Sequence, residues 1–359
     1  MEPTYPHLGL KSWPFQVVPD DETVRTWADR AAFKKLSYGA LKSASRIPTS
    51  QVTLFWAWYG SGKSHTLRHL AWICKSGEGG IKLTPVYAVF PGQISNALDL
   101  YRSIVSSIDL TALLDGSPKD IDGWVATSVV GNWKENLASA INCMKHGGES
   151  AKGTIRAWLA ADKVHLNQLR ECNIDRRIEN MEDAIKILSS LVRMLCAANG
   201  SNGIVLMIDE FQEIGKLPAK KLHEVNTFLH KLFDANPKRL QLFLSFTTGD
   251  KETVNHLLGE ALQSRVSNTL SLPEFDQQEA CEFLRDLVAL HSLDGASCGC
   301  FAASGFQALV VHLQGAQKRL VPRELIIAAG KVLTAADPLI EDGELAEIDN
   351  AFVNSILNA

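Results

Sequence analysis

The stretch "LFWAWYGSGKSHTL" holds five residues whose types and order suit the binding of phosphate: Gly60, Ser61, Gly62, Lys63 and Ser64. A phosphate-binding loop needs backbone N–H groups turned towards the anion, a lysine for the β- and γ-phosphates of a nucleotide, and a hydroxyl for Mg²⁺. These residues supply all three, and we count the following His65 with the cofactor-binding set. Ala57 stands at the first position of the pattern, where glycine gives backbone freedom, and we expect alanine to be tolerated there.

An acidic pair, Asp209 and Glu210, ends the apolar run in "GIVLMIDEFQE". A carboxylate at the carboxyl end of a parallel strand beside a phosphate loop holds Mg²⁺ through water, and a second carboxylate polarises the attacking water. The pair therefore predicts hydrolysis, with Asp209 and Ser64 serving the metal and Glu210 serving catalysis. The alternative is an acidic pair that only caps the turn after the strand.

Five short apolar runs must position these residues. They are rich in β-branched or aromatic residues and predict buried strands at 52–58, 85–90, 204–208, 240–247 and 269–272. Helical patterns lie between them at 63–74, 95–108, 182–197 and 219–235. This alternation predicts an α/β fold with a parallel five-stranded sheet and helices on both faces. A strand before the loop and a helix after it disfavour a chance match in a flexible turn, and we interpret the neighbouring aromatic residues as strand packing beneath the loop.

The strand patterns stop after Pro273, and apolar residues then recur at helical spacing. We therefore predict a helical lid domain at 275–359, which follows an α/β core at 51–274. Residues 1–50 are expected to form an amino-terminal linker and the first helix. The turn-rich region 109–182 separates the second and third strands, and we interpret it as a helical insertion with two helices.

Composition places the chain among ordinary globular proteins, with 46% hydrophobic and 21% charged residues. The net charge of −4 gives no overall attraction to nucleic acid, so DNA binding would have to be local. No apolar run approaches the roughly 20 residues of a membrane-spanning helix, and the first residues do not resemble a secretory signal. We predict a cytoplasmic protein with no membrane partner, in which the seven scattered cysteines are reduced. The close pair Cys298 and Cys300 has no second pair at zinc-site spacing, so we expect no metal there.

Two further segments, together with the loop and the acidic pair, resemble those of AAA+ ATPases of the P-loop NTPase class. "LQLFLSFTTGD" ends in hydroxyl residues where this family places a sensor of the γ-phosphate, which implies Thr247 or Thr248. "ALQSRVSNTLSLPEF" is similar to the segment whose arginine reaches the nucleotide of the neighbouring subunit, which implies Arg265. The resemblance implies ATP hydrolysis with ATP and Mg²⁺ as cofactors.

"VPRELIIAAG" resembles the start of the lid helix, where the AAA+ family carries a second sensor of the γ-phosphate. This implies Arg323 in that role, and Lys318 and Arg319 are the nearby alternatives.

The amino-terminal run "GLKSWPFQVVPDDETVRTWADRAAFKKL" resembles the linker and first helix of origin-licensing ATPases and of TniB/TnsC-type transposition ATPases. In those proteins a similar stretch carries an arginine beside the adenine, which implies Arg30, with Trp27 and Val24 as apolar walls. Ordinary packing is the alternative for Trp27. The region before the acidic pair is similar to ORC-like bacterial ATP-binding proteins, including those of BREX phage-defence loci.

An arginine supplied to a neighbour requires a second subunit, so the resemblance implies a homo-oligomer, either a ring or a filament. Double-stranded DNA is the leading macromolecular partner, with a protein such as a nuclease or transposase beside it. Basic residues gather after the acidic pair: Lys216, Lys220, Lys221, His223, His230, Lys231, Lys238 and Arg239. A second basic group comprises Lys34, Lys35, Lys42 and Arg46. Such clusters suit phosphate contacts, and the alternative for both is the solvated face of an amphipathic helix.

These observations leave two main hypotheses for the function. One is an oligomeric, DNA-linked ATPase that acts as a regulator or motor in phage defence or transposition. The other is a nucleotide-dependent switch that recruits a protein partner without nucleic acid. A kinase is disfavoured by the acidic pair and the helical tail, and we interpret His65 and His69, one turn apart, as packed histidines rather than metal ligands.

Overall fold

The computed structural model describes residues 4–18, 23–28, 30–248, 250–295 and 298–358. Its strands form one five-stranded parallel sheet in the order β2-β3-β4-β1-β5. The strands are Gln51–Ala57 (β1), Leu83–Val89 (β2), Gly203–Asp209 (β3), Leu240–Thr247 (β4) and Val266–Leu272 (β5). The predicted five-stranded parallel sheet is therefore confirmed. β5 begins earlier than its apolar pattern predicted, because its first residues are polar or partly exposed on an edge strand.

Strand β3 lies between β2 and β4 and pairs with both. It pairs in parallel with β2, from Leu83 opposite Gly203 to Val89 opposite Asp209. On its other side it pairs in parallel with β4, from Ile204 opposite Leu240 to Ile208 opposite Leu244. Every residue of β3 is buried, as expected for a strand covered on both faces. The carboxyl ends of these three strands therefore lie side by side.

The α-helices within the described ranges occupy the following bounds: Ala31–Arg46 (α1), Lys63–Ser76 (α2), Ala97–Ser106 (α3), Leu110–Asp115 (α4), Ile121–Ser128 (α5), Lys134–His146 (α6), Glu149–Leu159 (α7), Leu166–Glu171 (α8), Met181–Ala198 (α9), Ala219–Ala235 (α10), Lys251–Leu257 (α11), Glu260–Gln263 (α12), Gln277–His291 (α13), Ala303–Gly315 (α14), Pro322–Glu341 (α15) and Asn350–Leu357 (α16). No helix among them is both long and apolar enough to cross a membrane.

The region 109–182 is helical as predicted, but it contains α4 to α8 rather than two helices. α4, α5 and α8 have only six to eight residues each, too few for an amphipathic period to stand out in the sequence. Local capping helps to define them, because Asp109 and Asp120 accept hydrogen bonds from backbone N–H groups of the first turns of α4 and α5. Buried Trp133 and Trp158 help to form the core of this region.

The chain divides into two compact units. The sheet unit comprises Ser37–Trp56 and Leu70–Ser271. The loop unit comprises Met1–Leu36, Ala57–His69 and Leu272–Ala359, and so contains the phosphate loop and the carboxyl-terminal helices. α13 to α16 and the amino-terminal segment share one apolar core in the loop unit. The proposed division of the chain at residues 50 and 274 stays a prediction.

Candidate functional site

The phosphate loop has the backbone geometry that its glycines allow. Gly60 and Gly62 have φ angles of 81° and 91°, in the left-handed region that residues with a Cβ rarely adopt. Ala57 is the last residue of β1, is only 2% exposed and has no positive φ. Glycine is therefore not needed at position 57, which explains why alanine fits the first position of the motif.

The side chains of the loop include two buried polar groups. Lys63, the first residue of α2, is 5% exposed and donates from Nζ to the carbonyl of Trp58 over 3.3 Å. The buried Oγ of Ser61 has no hydrogen-bond partner in the part of the chain that the structure describes. A buried cation and a buried hydroxyl at the start of a helix form a donor set that suits the oxygen atoms of a phosphate. Ser64 is half-buried one residue later, where its hydroxyl is a hard ligand of the kind that Mg²⁺ prefers.

Arg323, near the start of α15, contacts this loop through its backbone and its side chain. Its N–H donates to the carbonyl of Gly60 over 3.2 Å, and a Cβ on Gly60 would lie only 3.0 Å from the Cβ of Arg323. The guanidinium carbon lies 4.3 Å from the ring centre of Tyr59, which is a cation–π distance. Arg323 is thus held against the phosphate loop.

The neighbouring basic residues pair with glutamates, and Arg319 also contacts an aromatic residue beside the phosphate loop. Arg319 pairs with Glu274 and lies 3.8 Å from the ring centre of Trp58, while Lys318 pairs with Glu324 over 3.5 Å. Our interpretation of the aromatic residues was wrong for Trp58 and Tyr59, which are 38% and 67% exposed. β1 ends at Ala57, so these two residues lie outside the buried strand. Their rings instead contact the guanidinium groups of Arg319 and Arg323.

The amino-terminal residues form an aromatic and histidine cluster in the loop unit. Trp27 lies edge-on to His69, with 4.9 Å between ring centres. His65 and His69 bond to the carbonyls of Thr23 and Val24 over 3.0 and 2.8 Å. Burial lowers the pKa of His65 and lowers that of His69 to about 4, so both imidazoles are neutral near pH 7. The structure thus brings the predicted Trp27, Val24 and His65 together.

Arg30 contacts an aromatic residue of the loop unit. Its guanidinium carbon lies 4.0 Å from the ring centre of Phe275. Its backbone has a φ of 56°, an uncommon value for a residue with a side chain. Such conformations concentrate at functional sites.

The acidic pair lies in the sheet unit, at the carboxyl end of β3. Asp209 is 1% exposed, and each of its carboxylate oxygens accepts a hydrogen bond. The backbone N–H of Glu210 donates to Oδ1 over 2.9 Å, and the hydroxyl of Tyr87 on β2 donates to Oδ2 over 2.8 Å. Glu210 itself is half-buried, with a left-handed φ of 56° that turns the chain out of the strand. These contacts fix the Asp209 carboxylate while each oxygen keeps a lone pair for a ligand.

Thr247 ends β4 beside this group. Its N–H donates to Oε1 of Gln212 over 2.8 Å, and Gln212 in turn donates to the carboxylate of Glu210. The buried Oγ1 of Thr247 has no hydrogen-bond partner among the described residues. Thr248, in contrast, bonds weakly to Asp250 at the start of α11.

Arg265 lies outside this polar group, in contact with α10 and α12. It donates to the carboxylate of Asp234 over 2.7 Å and to the carbonyl of Ala261 over 2.5 Å, and its side chain is 29% exposed. A partly exposed pair of this kind contributes little to stability, so Arg265 can exchange Asp234 for another anion at small cost.

Several basic residues around α10 already bond to other groups of the chain, so fewer of them are available to contact phosphate. Lys216 pairs with Glu213, His230 pairs with Asp234, and Lys221 donates to the carbonyl of Ile94. The helix buries Val225 and Leu229 together with other apolar residues on its opposite side. This is the arrangement of an amphipathic helix with a basic face towards solvent, and DNA binding by that face stays a prediction.

Sequence patterns did not identify Tyr87 or Gln212. Tyr87 contacts Asp209 only because β2 pairs with β3, and that pairing is not evident from either segment alone. Gln212 follows the acidic pair closely, but glutamine has no motif of its own at this position. The one available signal was the polar character of "DEFQE" directly after a buried strand.

Comparisons with known proteins are informative at the level of structure. The sequence matches no family model and no curated protein. The structure is similar to that of Aeropyrum pernix ORC2 in ADPNP–ADP complexes, with a TM-score of 0.53, 14% identity and coverage of 98% of this chain and 71% of that one. It is also similar to Aeropyrum pernix ORC1 in complex with DNA, with a TM-score of 0.50, 13% identity and coverage of 96% and 68%. At these identities the likeness shows the fold alone.

Proposed function

We propose that this chain, whose fold is that of AAA+ P-loop ATPases, binds ATP and hydrolyses it to ADP and phosphate. The main support for this proposal is the structure of the phosphate loop. Two left-handed glycines, a buried lysine and a buried hydroxyl without a partner in the described residues meet at the start of a helix. The binding of a polyphosphate requires this combination.

Each residue has a proposed role in the reaction. Gly60, Ser61, Gly62 and Lys63 bind the phosphates, and Ser64 and Asp209 hold Mg²⁺, which neutralises charge that develops on the phosphate oxygens. Glu210 accepts a proton from the attacking water. Arg30, Trp27 and His65 are proposed to contact the nucleotide base.

The γ-phosphate is proposed to contact Thr247 and Arg323. Thr247 is favoured over Thr248 because its buried hydroxyl has no partner in the described ranges, whereas Thr248 bonds to Asp250. Arg323 is favoured over Lys318 and Arg319 because its backbone bonds to Gly60, whereas the other two pair with glutamates.

We further propose that the protein is a homo-oligomer, a ring or a filament, in which Arg265 reaches the nucleotide of a neighbour. Replacing Arg265 by Ala is then expected to lower ATP hydrolysis by about 100-fold, a loss typical of a missing group that stabilises the transition state, and to leave the fold intact. Because Asp234 is half-exposed, little stability is lost with the ion pair. Steady-state phosphate release measures the effect, and Arg285→Ala on α13 is the matched control.

Mixing variants tests whether the arginine acts between subunits. Arg265→Ala and Lys63→Ala are each expected to hydrolyse ATP only slowly when assayed alone, but a mixture contains interfaces in which an intact loop meets an intact Arg265. Activity restored in the mixture supports transfer between subunits. No restoration, in a mixture shown by sedimentation to co-assemble, would contradict it.

The proposed partner is double-stranded DNA, and the proposed setting is phage defence or transposition alongside a nuclease or transposase. The fold relative ORC1 was solved in complex with DNA, and the exposed Lys220 and Lys231 of α10 supply local charge. DNA is expected to raise the ATPase rate, and the effect should be lost near about 200 mM salt because phosphate contacts release counterions. If a short duplex neither binds nor stimulates at low salt, the DNA-linked function is wrong, and the switch that recruits a protein partner takes its place.

A further inference from the structure

Gln212 connects two residues to which the proposed reaction assigns different roles. It lies in the 3₁₀ helix Phe211–Lys216 that follows the acidic pair. Its side-chain amide donates to a carboxylate oxygen of Glu210, the proposed base. Its amide oxygen accepts the backbone N–H of Thr247, the proposed sensor, over 2.8 Å. One planar amide thus bridges the end of β4 and the residue after β3.

The orientation of this amide is determined by its partners. The N–H of Thr247 is a donor only, so the atom that faces it must be the amide oxygen. The NH₂ group then faces the carboxylate of Glu210, which can only accept when ionised. A flipped amide would lose both hydrogen bonds, and Gln212 therefore has one consistent arrangement.

The backbone around Gln212 is held by the core. Phe211, the residue before Gln212, and Ile214, two residues after it, are fully buried. The ring of Phe211 lies 5.2 Å from that of Phe90 and 5.4 Å from that of Phe246, the residue before Thr247. Aromatic contacts of this kind hold the backbone on both sides of the bridge in the core.

We propose that Gln212 is a positioning residue for hydrolysis, which holds the Glu210 carboxylate and couples it to the end of β4 through Thr247. This inference rests on the proposed ATPase function. Gln212 itself transfers no proton and contacts no reacting atom in this role. Its effect is expected on kcat, because it orients the base, and only weakly on KM, because it does not bind substrate.

Gln212→Glu separates the two hydrogen bonds with almost no change of shape. The introduced carboxylate still accepts from Thr247, but it cannot donate to Glu210 while it is ionised. We expect kcat at pH 8 to fall about 10-fold, the value of one hydrogen bond to a charged group, with KM within about threefold of wild type.

The pH profile distinguishes positioning from a structural defect. A carboxyl beside Glu210 has a raised pKa, because two like charges disfavour double ionisation. As the pH falls towards 6, protonation of the introduced carboxyl restores a donor, so the deficit relative to wild type should narrow. Gln212→Leu, which removes both bonds, should lose at least as much kcat and show no such recovery. Gln278→Glu is the matched control, since Gln278 donates to Glu282 on the exposed face of α13.

Gln212→Glu and Gln212→Leu are first compared with wild type by thermal unfolding. If Gln212→Glu does not fold, the kcat and KM of Gln212→Leu are used as the test. Loss of kcat in both, with recovery at lower pH in the Glu variant alone, supports the inference. A kcat within twofold of wild type, a raised kcat, or a deficit in the Glu variant that does not change with pH overturns it. Absence of hydrolysis by the wild type, or full activity of Glu210→Gln, would instead contradict the proposed function.

Discussion

Replacing Lys63 by Ala is expected to weaken the binding of Mg-ATP by about 100-fold, because hydrogen bonds from a charged group to the phosphates are lost. Lys63 is 5% exposed and bonds to the carbonyl of Trp58, so the folded chain holds its ammonium group in place beside the loop. A positive charge held at the phosphate loop lowers the free-energy cost of binding a polyphosphate there. Equilibrium titration with a fluorescent ATP analogue measures the change.

The matched control for Lys63 lies on the same helix. Lys75, in the last turn of α2, is exposed, and Lys75→Ala is expected to bind ATP like wild type. Thermal unfolding with and without Mg-ATP gives a second readout, because a ligand that binds only the folded state raises the melting temperature. Equal stabilisation of wild type and Lys63→Ala by Mg-ATP would show that this loop is not the binding site.

Replacing Glu210 by Gln is expected to lower kcat at least about 100-fold while Mg-ATP binding is retained, since a general base typically contributes a factor of this size or more. Glutamine has nearly the same size as glutamate and keeps an oxygen that accepts from Gln212. We therefore expect the left-handed backbone conformation of residue 210 to be retained. What is lost is the ability to take a proton from water. Single-turnover hydrolysis, measured with the enzyme in excess, separates this effect from product release.

The control for Glu210 is a glutamate of the same 3₁₀ helix. Glu213 pairs with Lys216 over 2.7 Å, and Glu213→Gln is expected to hydrolyse ATP within about twofold of wild type, since exposed ion pairs contribute little. If both glutamine variants lost activity equally, the loss would be caused by disturbance of the 3₁₀ helix rather than by removal of the general base. If Glu210→Gln kept full activity, Glu210 would have no role in hydrolysis.

The sequence predicted most of the sheet because its inner strands, β1, β3 and β4, are almost entirely buried. The apolar run of β3 and the β-branched or aromatic runs of β1, β2 and β4 are signals that few other structures produce. β5 was predicted only in its second half, because polar residues on an edge strand carry no such signal. The helices of region 109–182 were undercounted for the related reason that short helices complete too few turns to show a period.

The candidate site was predicted where motifs are local and missed where contacts join distant segments. The phosphate loop and the acidic pair each lie within a few residues, so their chemistry is visible in the sequence. Tyr87 and Gln212 act through neighbours on other strands or turns, and only the register of β2, β3 and β4 brings those neighbours together. The exposure of Trp58 and Tyr59 could not be read from their hydrophobic type, because it depends on β1 ending at Ala57.

The most direct measurement of the central claim is phosphate release from Mg-ATP by the purified wild-type chain over a range of chain concentrations, with Glu210→Gln assayed in parallel. The proposed ATPase predicts turnover by the wild type, a rate per chain that rises with concentration as subunits assemble, and no turnover above background in the variant. Phosphate release that is equal in the two proteins, or absent in a wild type that binds Mg-ATP at every concentration, would contradict it.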